Sequence, residues 1–397
     1  MPFLIGGISM NDIKFIEALK QKRNACDYSQ SRLAQELQIS RQNLNEIENG
    51  KTKASKEMKH ILLHYLDYCN CTQPFTLTID YLRVRFPTTD ALEIIKNVLA
   101  MKSEYFIHED YGMFGYEEQY IYGDISVNAS KDSSMGVLLE LRGMGCRNLE
   151  YVLRARGIDW YCFLSCCIDY QGVFKRIDLA VNDMGGLLDI EILRERYYAN
   201  KVWKRSRTHE AVDSGKLSGT HGETAKTFYI GSKNSSIYFC LYEKEKEQES
   251  KGIKTDIKNR FEIRLKNGKA GQTIEQLVFS RNPEKTIASL ILTQIDFPDY
   301  ILWDIFLDNV TTSLPFIMTP VAVNMDKTKR WLERQVMPSL LMIKEIEKKT
   351  GANYLEEIDR HTRLTEKQEL KIKQMTTDIA DMIENDTAVP QGSDGIF

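Results

Sequence analysis

The sequence lacks any apolar run of about 18 residues, the length that a membrane-spanning helix requires. Its most apolar stretch, residues 288–307, is interrupted by three aspartates, Asp296, Asp299 and Asp304. A secretory signal is also missing, because polar residues begin as early as Asn11. We therefore expect a cytoplasmic protein without membrane insertion.

Cysteine motifs are missing as well. The eight cysteines form no CxxC pair and show no regular spacing, which is typical of reduced thiols in the cytosol. A zinc site could combine His60 and His64 with Cys69 and Cys71, but structural zinc usually pairs an HxxxH with a separate CxxC, and this sequence has only a CxC. We expect the two histidines to lie on one face of an ordinary helix.

The chain has no net basic charge, but its basic residues are concentrated locally. The chain of 397 residues has 53 basic and 56 acidic residues and a net charge of −3, which argues against a protein that coats DNA. Residues 201–269, however, hold 16 Lys and Arg against 9 Asp and Glu, and residues 1–73 hold 10 against 8. A DNA track on one face would produce this distribution, and so would a solvated basic loop, so charge alone favours neither.

Residues 28–50, YSQSRLAQELQISRQNLNEIENG, resemble the helix-turn-helix of the lambda repressor and Cro class. Their apolar positions would pack two short helices across a turn, with Ser29 and Ser40 as N-caps. Gln38 stands where that class commonly has glycine, which predicts a side chain in the left-handed region. Arg, Gln and Asn make bidentate contacts with base edges in the major groove. The alternative is a helical hairpin with no role in DNA binding. The predicted DNA-binding residues are Gln30, Arg41, Gln42, Asn43, Asn45 and Lys51.

The chain length predicts two or three domains. From Phe75 onward the composition changes to β-branched and aromatic strands, and helices dominate from about Ile274. We predict an α+β fold, with an N-terminal all-α helix-turn-helix domain followed by a mainly antiparallel β-sheet domain that has a helical C-terminal part. The predicted bounds are 1–73 for the helix-turn-helix domain, 74–275 for the α+β core, 276–383 for the helical part and 384–397 for a disordered tail.

Four of the predicted strands carry a polar side chain opposite their apolar face. These strands are Val137–Arg142, 174–181, 237–242 and 260–266, and the polar residues are Glu140, Asp178, Tyr242 and Glu262 in that order. Carboxylates withdrawn from water repel one another unless they are paired or bound to a cation. Three of them suit a hard divalent ion that keeps waters and takes phosphate oxygens. Each could instead pair with a nearby arginine, such as Arg176 or Arg264.

Three segments resemble the Rep_trans family, which includes rolling-circle plasmid replication initiators and MobT-type relaxases of integrative and conjugative elements. The segments are FKRIDLAVND at 174–183, YIGSKNSSIYFCLYEKEKEQ at 229–248 and NRFEIRLK at Asn259–Lys266. The resemblance extends over residues 75–338, and the segment with the tyrosine is the most specific part. It implies that the α+β core is a catalytic domain.

The resemblance also implies roles for single residues. The family tyrosine that matches Tyr242 is the nucleophile, which attacks the scissile phosphate, releases a 3′-hydroxyl and keeps the 5′ end as a phosphotyrosine. The acidic residues that match Asp178, Glu262 and Glu140 hold a metal, for which we expect Mg²⁺ or Mn²⁺. Lys244, two residues beyond the tyrosine, could steady the phosphate.

Two positions depart from the plasmid initiators of this family. Asn182 stands where an aspartate is usual, and Arg264 stands where a second glutamate follows the first. Other relaxases hold their metal with a His-hydrophobic-His motif, but none of the six histidines forms one. In a nickase with this sequence, carboxylates must therefore hold the metal.

We expect site- and strand-specific DNA nicking and rejoining at an origin of transfer. The helix-turn-helix would read double-stranded DNA, and the basic segment 204–226 would form a mobile loop that closes over the single strand. The C-terminal helices could dock a helicase, a coupling protein, another relaxosome protein or a second copy of the chain. One alternative is a plasmid replication initiator with the same chemistry; another is a helix-turn-helix transcriptional regulator without catalysis.

Overall fold

The computed structural model describes residues 9–214 and 225–384. None of the helices in these residues is long and apolar enough to cross a membrane. The α-helices are α1 Met10–Ala25, α2 Gln30–Glu36, α3 Arg41–Glu48, α4 Lys56–Cys69, α5 Ala91–Asn97, α6 Met144–Ala155, α7 Trp160–Asp169, α8 Ile190–Tyr198, α9 Lys244–Glu249, α10 Gly268–Ser280, α11 Pro283–Leu292, α12 Ile301–Thr312, α13 Asp326–Trp331, α14 Met337–Thr350, α15 Tyr354–His361, α16 Glu366–Thr376 and α17 Ile379–Met382.

The strands differ in length, from 2 to 12 residues. They are β1 Phe75–Phe86, β2 Ile107–Glu109, β3 Glu118–Tyr122, β4 Ile125–Ala129, β5 Val137–Arg142, β6 Val173–Asp183, β7 Trp203–Lys204, β8 His209–Ser214, β9 Ala225–Ile230, β10 Ile237–Glu243, β11 Asn259–Lys266 and β12 Ile295–Asp296. The described residues form two compact units: residues 9–79 with 176–317, and residues 80–175 with 318–384.

The first unit begins with the helices α1 to α4, which pack around a small apolar core. Leu19, Leu33 and Leu62 are fully buried there. The hydroxyls of Ser29 and Ser40 cap α2 and α3 as predicted, by accepting hydrogen bonds from backbone N–H groups of the first turn. Gln38, between these two helices, has a φ of +55°, so the predicted left-handed residue is present at the turn.

The same unit contains an antiparallel sheet in the order β6-β11-β10-β9-β8. Alternate residues of its central strands are buried on the apolar face, where Phe261 packs against Trp303 and Phe306 of α12. Because side chains of a strand alternate between faces, the residues between them lie on the opposite face. Asp178 on β6 and Tyr242 on β10 belong to this second face, as predicted.

The loop that follows β6 is shaped by one carboxylate. Asp183 is fully buried and accepts hydrogen bonds from the backbone N–H groups of Gly186, Leu187 and Leu188 at 2.7, 3.0 and 2.7 Å. Burial raises the pKa of Asp183, whereas these hydrogen bonds oppose that shift. The loop ends at Asp189, which is the N-cap residue of α8.

The second unit has its own antiparallel strands, in the order β2-β3-β4-β5-β1. Residues 80–86 of strand β1 belong to this second unit, whereas residues 75–79 of the same strand belong to the first unit. Helix α6 packs on β4 and β5, and the chain returns after residue 318 through α13 to α17. Pro338 stands in the first turn of α14, directly after a π-helical segment, Leu332–Val336. The predicted α+β class is confirmed.

One predicted loop is partly a strand. Within the segment 204–226, residues His209–Ser214 form β8 and pair with β9, while residues 215–224 lie outside the described residues. Polar residues can form an edge strand because the backbone supplies the hydrogen bonds. Residues 385–397 of the predicted disordered tail also lie outside the described chain, and the predicted domain bounds stay a prediction.

Asp183→Ala should lower the free energy of unfolding of the first unit by about 3 kcal/mol, because three backbone N–H groups would lose their acceptor. Thermal and urea unfolding followed by circular dichroism measure the change. Asp308→Ala, at an exposed position of α12, is the matched control and should change stability by no more than about 0.5 kcal/mol. Equal effects of the two substitutions would contradict this role of Asp183.

Candidate active site

The predicted nucleophile lies beside a predicted metal ligand. In the register of β10 and β11, Cys240 faces Glu262 and Tyr242 faces Arg260. The phenol oxygen of Tyr242 donates a hydrogen bond to Oε1 of Glu262 at 2.7 Å. Nη1 of Arg260 lies 3.5 Å from the same phenol oxygen. A carboxylate in this position can accept the phenol proton, and a guanidinium beside it stabilises the phenolate.

Both predicted carboxylates of the first unit are buried and paired with arginine. Asp178 is 4% exposed and Glu262 is 3% exposed. Arg176 donates to both carboxylate oxygens of Asp178, at 2.8 and 2.6 Å. Arg264 donates through Nε and Nη2 to Oε2 of Glu262 at 2.9 and 2.6 Å and lies 3.6 Å from Asp178. The pairing with arginine that the sequence left open is therefore present.

These groups shift one another's protonation equilibria. Burial raises the pKa of Asp178, and the negative charge of Glu262 adds to that rise, while Arg176 opposes it. Burial alone would lower the pKa of Arg264, but Glu262 raises it above the ordinary value. Cys240, on the same face, has its pKa raised to about 12 by burial and remains a thiol. The polar face therefore offers a phenol, not a thiolate, as nucleophile.

The carboxylate pair can be tested against the requirements of a divalent metal. Mg²⁺ is commonly bound through one or two carboxylates together with waters and substrate phosphates, and Asp178 with Glu262 supplies two carboxylates from neighbouring strands. The donor set therefore fits Mg²⁺ or Mn²⁺. Arg176 and Arg264 hold the same oxygens, so a metal could enter only when they release these hydrogen bonds.

The third predicted ligand, Glu140, lies in the second unit and is 1% exposed. Its carboxylate accepts hydrogen bonds from Tyr81, from Arg83 at 2.8 Å and from Arg142 at 2.8 Å. Burial alone would raise the pKa of Glu140, but these three donors lower it. Its charge is therefore already compensated within that unit.

Two further sequence-derived positions have local partners. Lys244 begins α9 and pairs with Glu247 at 2.9 Å, with its Nζ 5.4 Å from the ring centre of Tyr242. The amide of Asn182 is buried and accepts from Arg260 at 2.8 Å. Asn182 thus positions the arginine that faces the phenol, which gives the departure from the family aspartate a structural role.

Sequence reasoning missed Arg260, although it stands two residues before Glu262. It is 6% exposed and faces Tyr242 across the strands. An alternating Arg-x-Glu-x-Arg pattern from 260 to 264 was the available signal, since all three side chains must share one face. Only the register of β10 and β11 shows that Arg260 lies directly opposite the tyrosine.

The predicted DNA-binding residues separate into exposed and internally bound groups. Arg41 and Lys51 are exposed, and Asn43 is partly exposed at the first turn of α3. The side chain of Gln42 bonds to Glu46 and that of Asn45 to Asn49, both on the exposed surface. Gln30, by contrast, donates to Glu48, a glutamate that is 2% exposed and is also paired with Arg23.

His60 and His64 do not share a partner with Cys69. His60 and His64 lie on one face of α4 as predicted, and both contact Asp189. The thiol of Cys69 instead lies 3.6 Å from the hydroxyl of Tyr28. The eight cysteines all lie in the described residues, and none of them forms a disulfide. Among the described residues, His60, His64 and Asp189 form a possible metal-binding group.

Comparisons with known proteins agree with this architecture. The family model "Replication initiation factor" matches residues 172–358, "Rolling Circle replication initiation protein N-terminal domain" matches 76–166 and "Helix-turn-helix" matches 19–68. A protein named "Putative DNA relaxase NicK", from Bacillus subtilis (strain 168), is 30% identical over 328 residues, which cover 78% of this chain and 92% of that protein.

A solved structure shares the fold. The rolling circle replication initiator protein from Geobacillus stearothermophilus matches with a TM-score of 0.54 and 24% identity. The match covers 62% of this chain and 99% of that chain. At this level of identity, the likeness establishes the fold alone.

Arg264→Met should lower the free energy of unfolding by about 3 kcal/mol, because it removes the guanidinium that donates two hydrogen bonds to the buried carboxylate of Glu262. Thermal unfolding measures the loss, and Arg264→Lys should recover part of it. Arg207→Met, at an exposed position, controls for the loss of one positive charge. A loss in the control as large as in Arg264→Met would show that the pairing with Glu262 is not responsible.

Proposed function

The chain belongs to the replication initiation factor family, Rep_trans, whose members nick DNA, and we propose that it is a relaxase that cuts and rejoins one strand at an origin of transfer. The observation that carries the proposal is the hydrogen bond from the Tyr242 phenol to Glu262, with Arg260 beside the same oxygen. The relative named as a relaxase, which this chain matches over 92% of its length, favours transfer over plasmid replication.

The cleavage step uses the phenol as nucleophile. Glu262 accepts the proton of Tyr242 while the phenol oxygen forms a bond to the scissile phosphorus. The bond from phosphorus to the 3′-oxygen breaks, and that oxygen leaves as a 3′-hydroxyl after taking up a proton. The 5′ end stays on the enzyme as a phosphotyrosine ester. The reverse attack by a 3′-hydroxyl restores the strand.

Cations around the phenol compensate the charge that develops on the phosphate. Arg260 lies nearest to the phenol oxygen, and Arg176 and Arg264 can exchange a carboxylate for a phosphate oxygen. Lys244, which directly follows the strand β10 that carries Tyr242, adds a fourth cation. A free phenol has a pKa of about 10, so attack by Tyr242 near neutral pH needs a proton acceptor, which Glu262 supplies.

Asp178 and Glu262 are the residues of the first unit that would hold Mg²⁺ or Mn²⁺. Glu140, the third ligand expected from the sequence, lies in the second unit and stays a prediction. The ion would polarise the scissile phosphate and neutralise charge on its oxygens. Glu140→Gln keeps the size of the side chain but removes its negative charge. It tests whether Glu140 takes part in metal binding, and the metal concentration needed for cleavage is the quantity to measure.

The helix-turn-helix supplies recognition of the duplex in this proposal. Arg41, Asn43 and their neighbours at the start of α3 would contact base edges, and Lys51 would contact a phosphate. Gln30 is held by Glu48 and would act by positioning α2. A transcriptional regulator would share this module but would not form a covalent bond with DNA.

The covalent step predicts an adduct on a denaturing gel. The full chain should retain the label of a 3′-labelled single-stranded oligonucleotide from the origin of the element that carries its gene, but release a 5′-labelled fragment with a free 3′-hydroxyl. Tyr242→Phe should abolish the adduct, and a chelator should suppress it. Tyr238→Phe, on the same strand and face, should retain it. An adduct that survives in Tyr242→Phe would assign the nucleophile elsewhere.

Duplex binding should separate base contacts from phosphate contacts. Asn43→Ala should weaken binding to the origin duplex by about 1–3 kcal/mol while leaving binding to unrelated DNA unchanged. Lys51→Ala should weaken both and reduce the salt dependence. Fluorescence anisotropy at several salt concentrations measures both effects, with Gln35→Ala on the exposed side of α2 as control. Equal losses on both DNAs in Asn43→Ala would argue against base readout by this residue.

A further inference from the structure

A second charged cluster of the first unit joins α4 to the loop before α8. His60 and His64 are one turn apart on α4, so their rings lie on one face and stack with centres 5.8 Å apart. Both contact Asp189, which is 6% exposed. One potential ligand atom from each of the three side chains lies within 4.8 Å of the others.

The hydrogen bonds of His64 call for a cation between the ring and Asp189. Nδ1 of His64 contacts the carbonyl oxygen of Gly186, and because a carbonyl only accepts, Nδ1 carries the hydrogen. In a neutral ring, Nε2 then directs a lone pair at Oδ2 of Asp189, 3.3 Å away. Two acceptors that face each other require either a proton or a metal ion.

Backbone hydrogen bonds fix the orientation of the Asp189 carboxylate. Its Oδ1 accepts hydrogen bonds from the backbone N–H groups of Glu191 and Ile192 at 2.9 and 3.0 Å, which leaves Oδ2 directed at the histidines. The carbonyl of Gly186 orients the ring of His64 in the way that outer acceptors orient metal-binding imidazoles. The ligands are therefore preorganised by backbone contacts.

We propose that Nδ1 of His60, Nε2 of His64 and Oδ2 of Asp189 bind a zinc ion, with water in the fourth position. Two imidazoles and one carboxylate are ligands that Zn²⁺ commonly takes. For metal–ligand bonds of about 2.0–2.1 Å, the edge of the tetrahedron is about 3.3 Å, which matches the separation of Nε2 and Oδ2. His60 lies closer to Oδ2, and its side chain, which is 31% exposed, can move outward.

The residues around the proposed site leave room for the water ligand and compensate nearby positive charge. A cavity of about 500 Å³ borders both histidine rings. Three lysines line this cavity: Lys56 is paired with two glutamates, and Lys53 and Lys59 share the carboxylate of Asp12. These carboxylates reduce the repulsion between the lysines and a bound cation.

The ion would tie the helix-turn-helix to the sheet that carries the tyrosine. Helix α4 belongs to the former, whereas Asp189 caps α8, which packs on β9 and β10. Zinc would thus fix the duplex-reading helices relative to Tyr242. This last consequence depends on the proposed function, while the binding of the metal does not.

Metal binding is measured on the full chain without DNA. Protein stripped with a chelator is given a small excess of Zn²⁺, passed through a desalting column and analysed by plasma mass spectrometry. We expect about one zinc ion per chain, and the loss of that ion in His64→Ala and in His60→Ala. Circular dichroism shows whether each variant is folded, and the more exposed His60 provides the variant that is less liable to unfold.

Three controls assign the ion to this cluster. The double variant Cys69→Ala/Cys71→Ala, His361→Ala and Asp178→Asn should each retain the zinc. Co²⁺ in place of Zn²⁺ should give a tetrahedral spectrum without a thiolate charge-transfer band. Zinc absent from the unaltered chain, or lost in the cysteine variant but kept in His60→Ala and His64→Ala, would overturn the proposal. Because DNA is absent, neither result alters the test of the Tyr242 adduct.

Discussion

The polar face of β6, β10 and β11 depends on the pairing of buried carboxylates with arginines. Asp178 and Glu262 are almost completely withdrawn from water, and without Arg176 and Arg264 their charges would cost several kcal/mol. Because of this pairing, the face of the sheet opposite the apolar core can carry buried charged side chains. The pairing also places the guanidinium of Arg264 on the same carboxylate that accepts the hydrogen bond of Tyr242.

Alternation along strands was the most informative feature of the sequence. It placed Asp178, Tyr242 and Glu262 on one face, because a period of two leaves no other choice once the apolar residues are buried. The left-handed Gln38 was also predictable, since one position of the turn requires that conformation. Arg260 was not, because its place opposite the tyrosine depends on the register between two strands.

Contacts between distant parts of the chain could not be predicted from the sequence. A zinc site of the two histidines with Cys69 and Cys71 was the less favoured alternative, and nothing in the sequence indicated Asp189 as the partner of the histidines. No local pattern could have found it, since the loop after β6 is shaped by Asp183 and comes back to α4 only in the folded protein. The strand β8 was missed because backbone pairing with β9 does not need apolar side chains.

The first unit is assembled from two separate stretches of chain, 9–79 and 176–317. At roughly 5–20 residues per second, a ribosome needs several seconds to translate the intervening residues 80–175. The helices α1 to α4 have their own buried leucines and can form during this interval, before Asp189 or the strand with the tyrosine has been made. In the proposed function, each newly synthesised molecule would therefore acquire its ability to read a duplex before its ability to cut it.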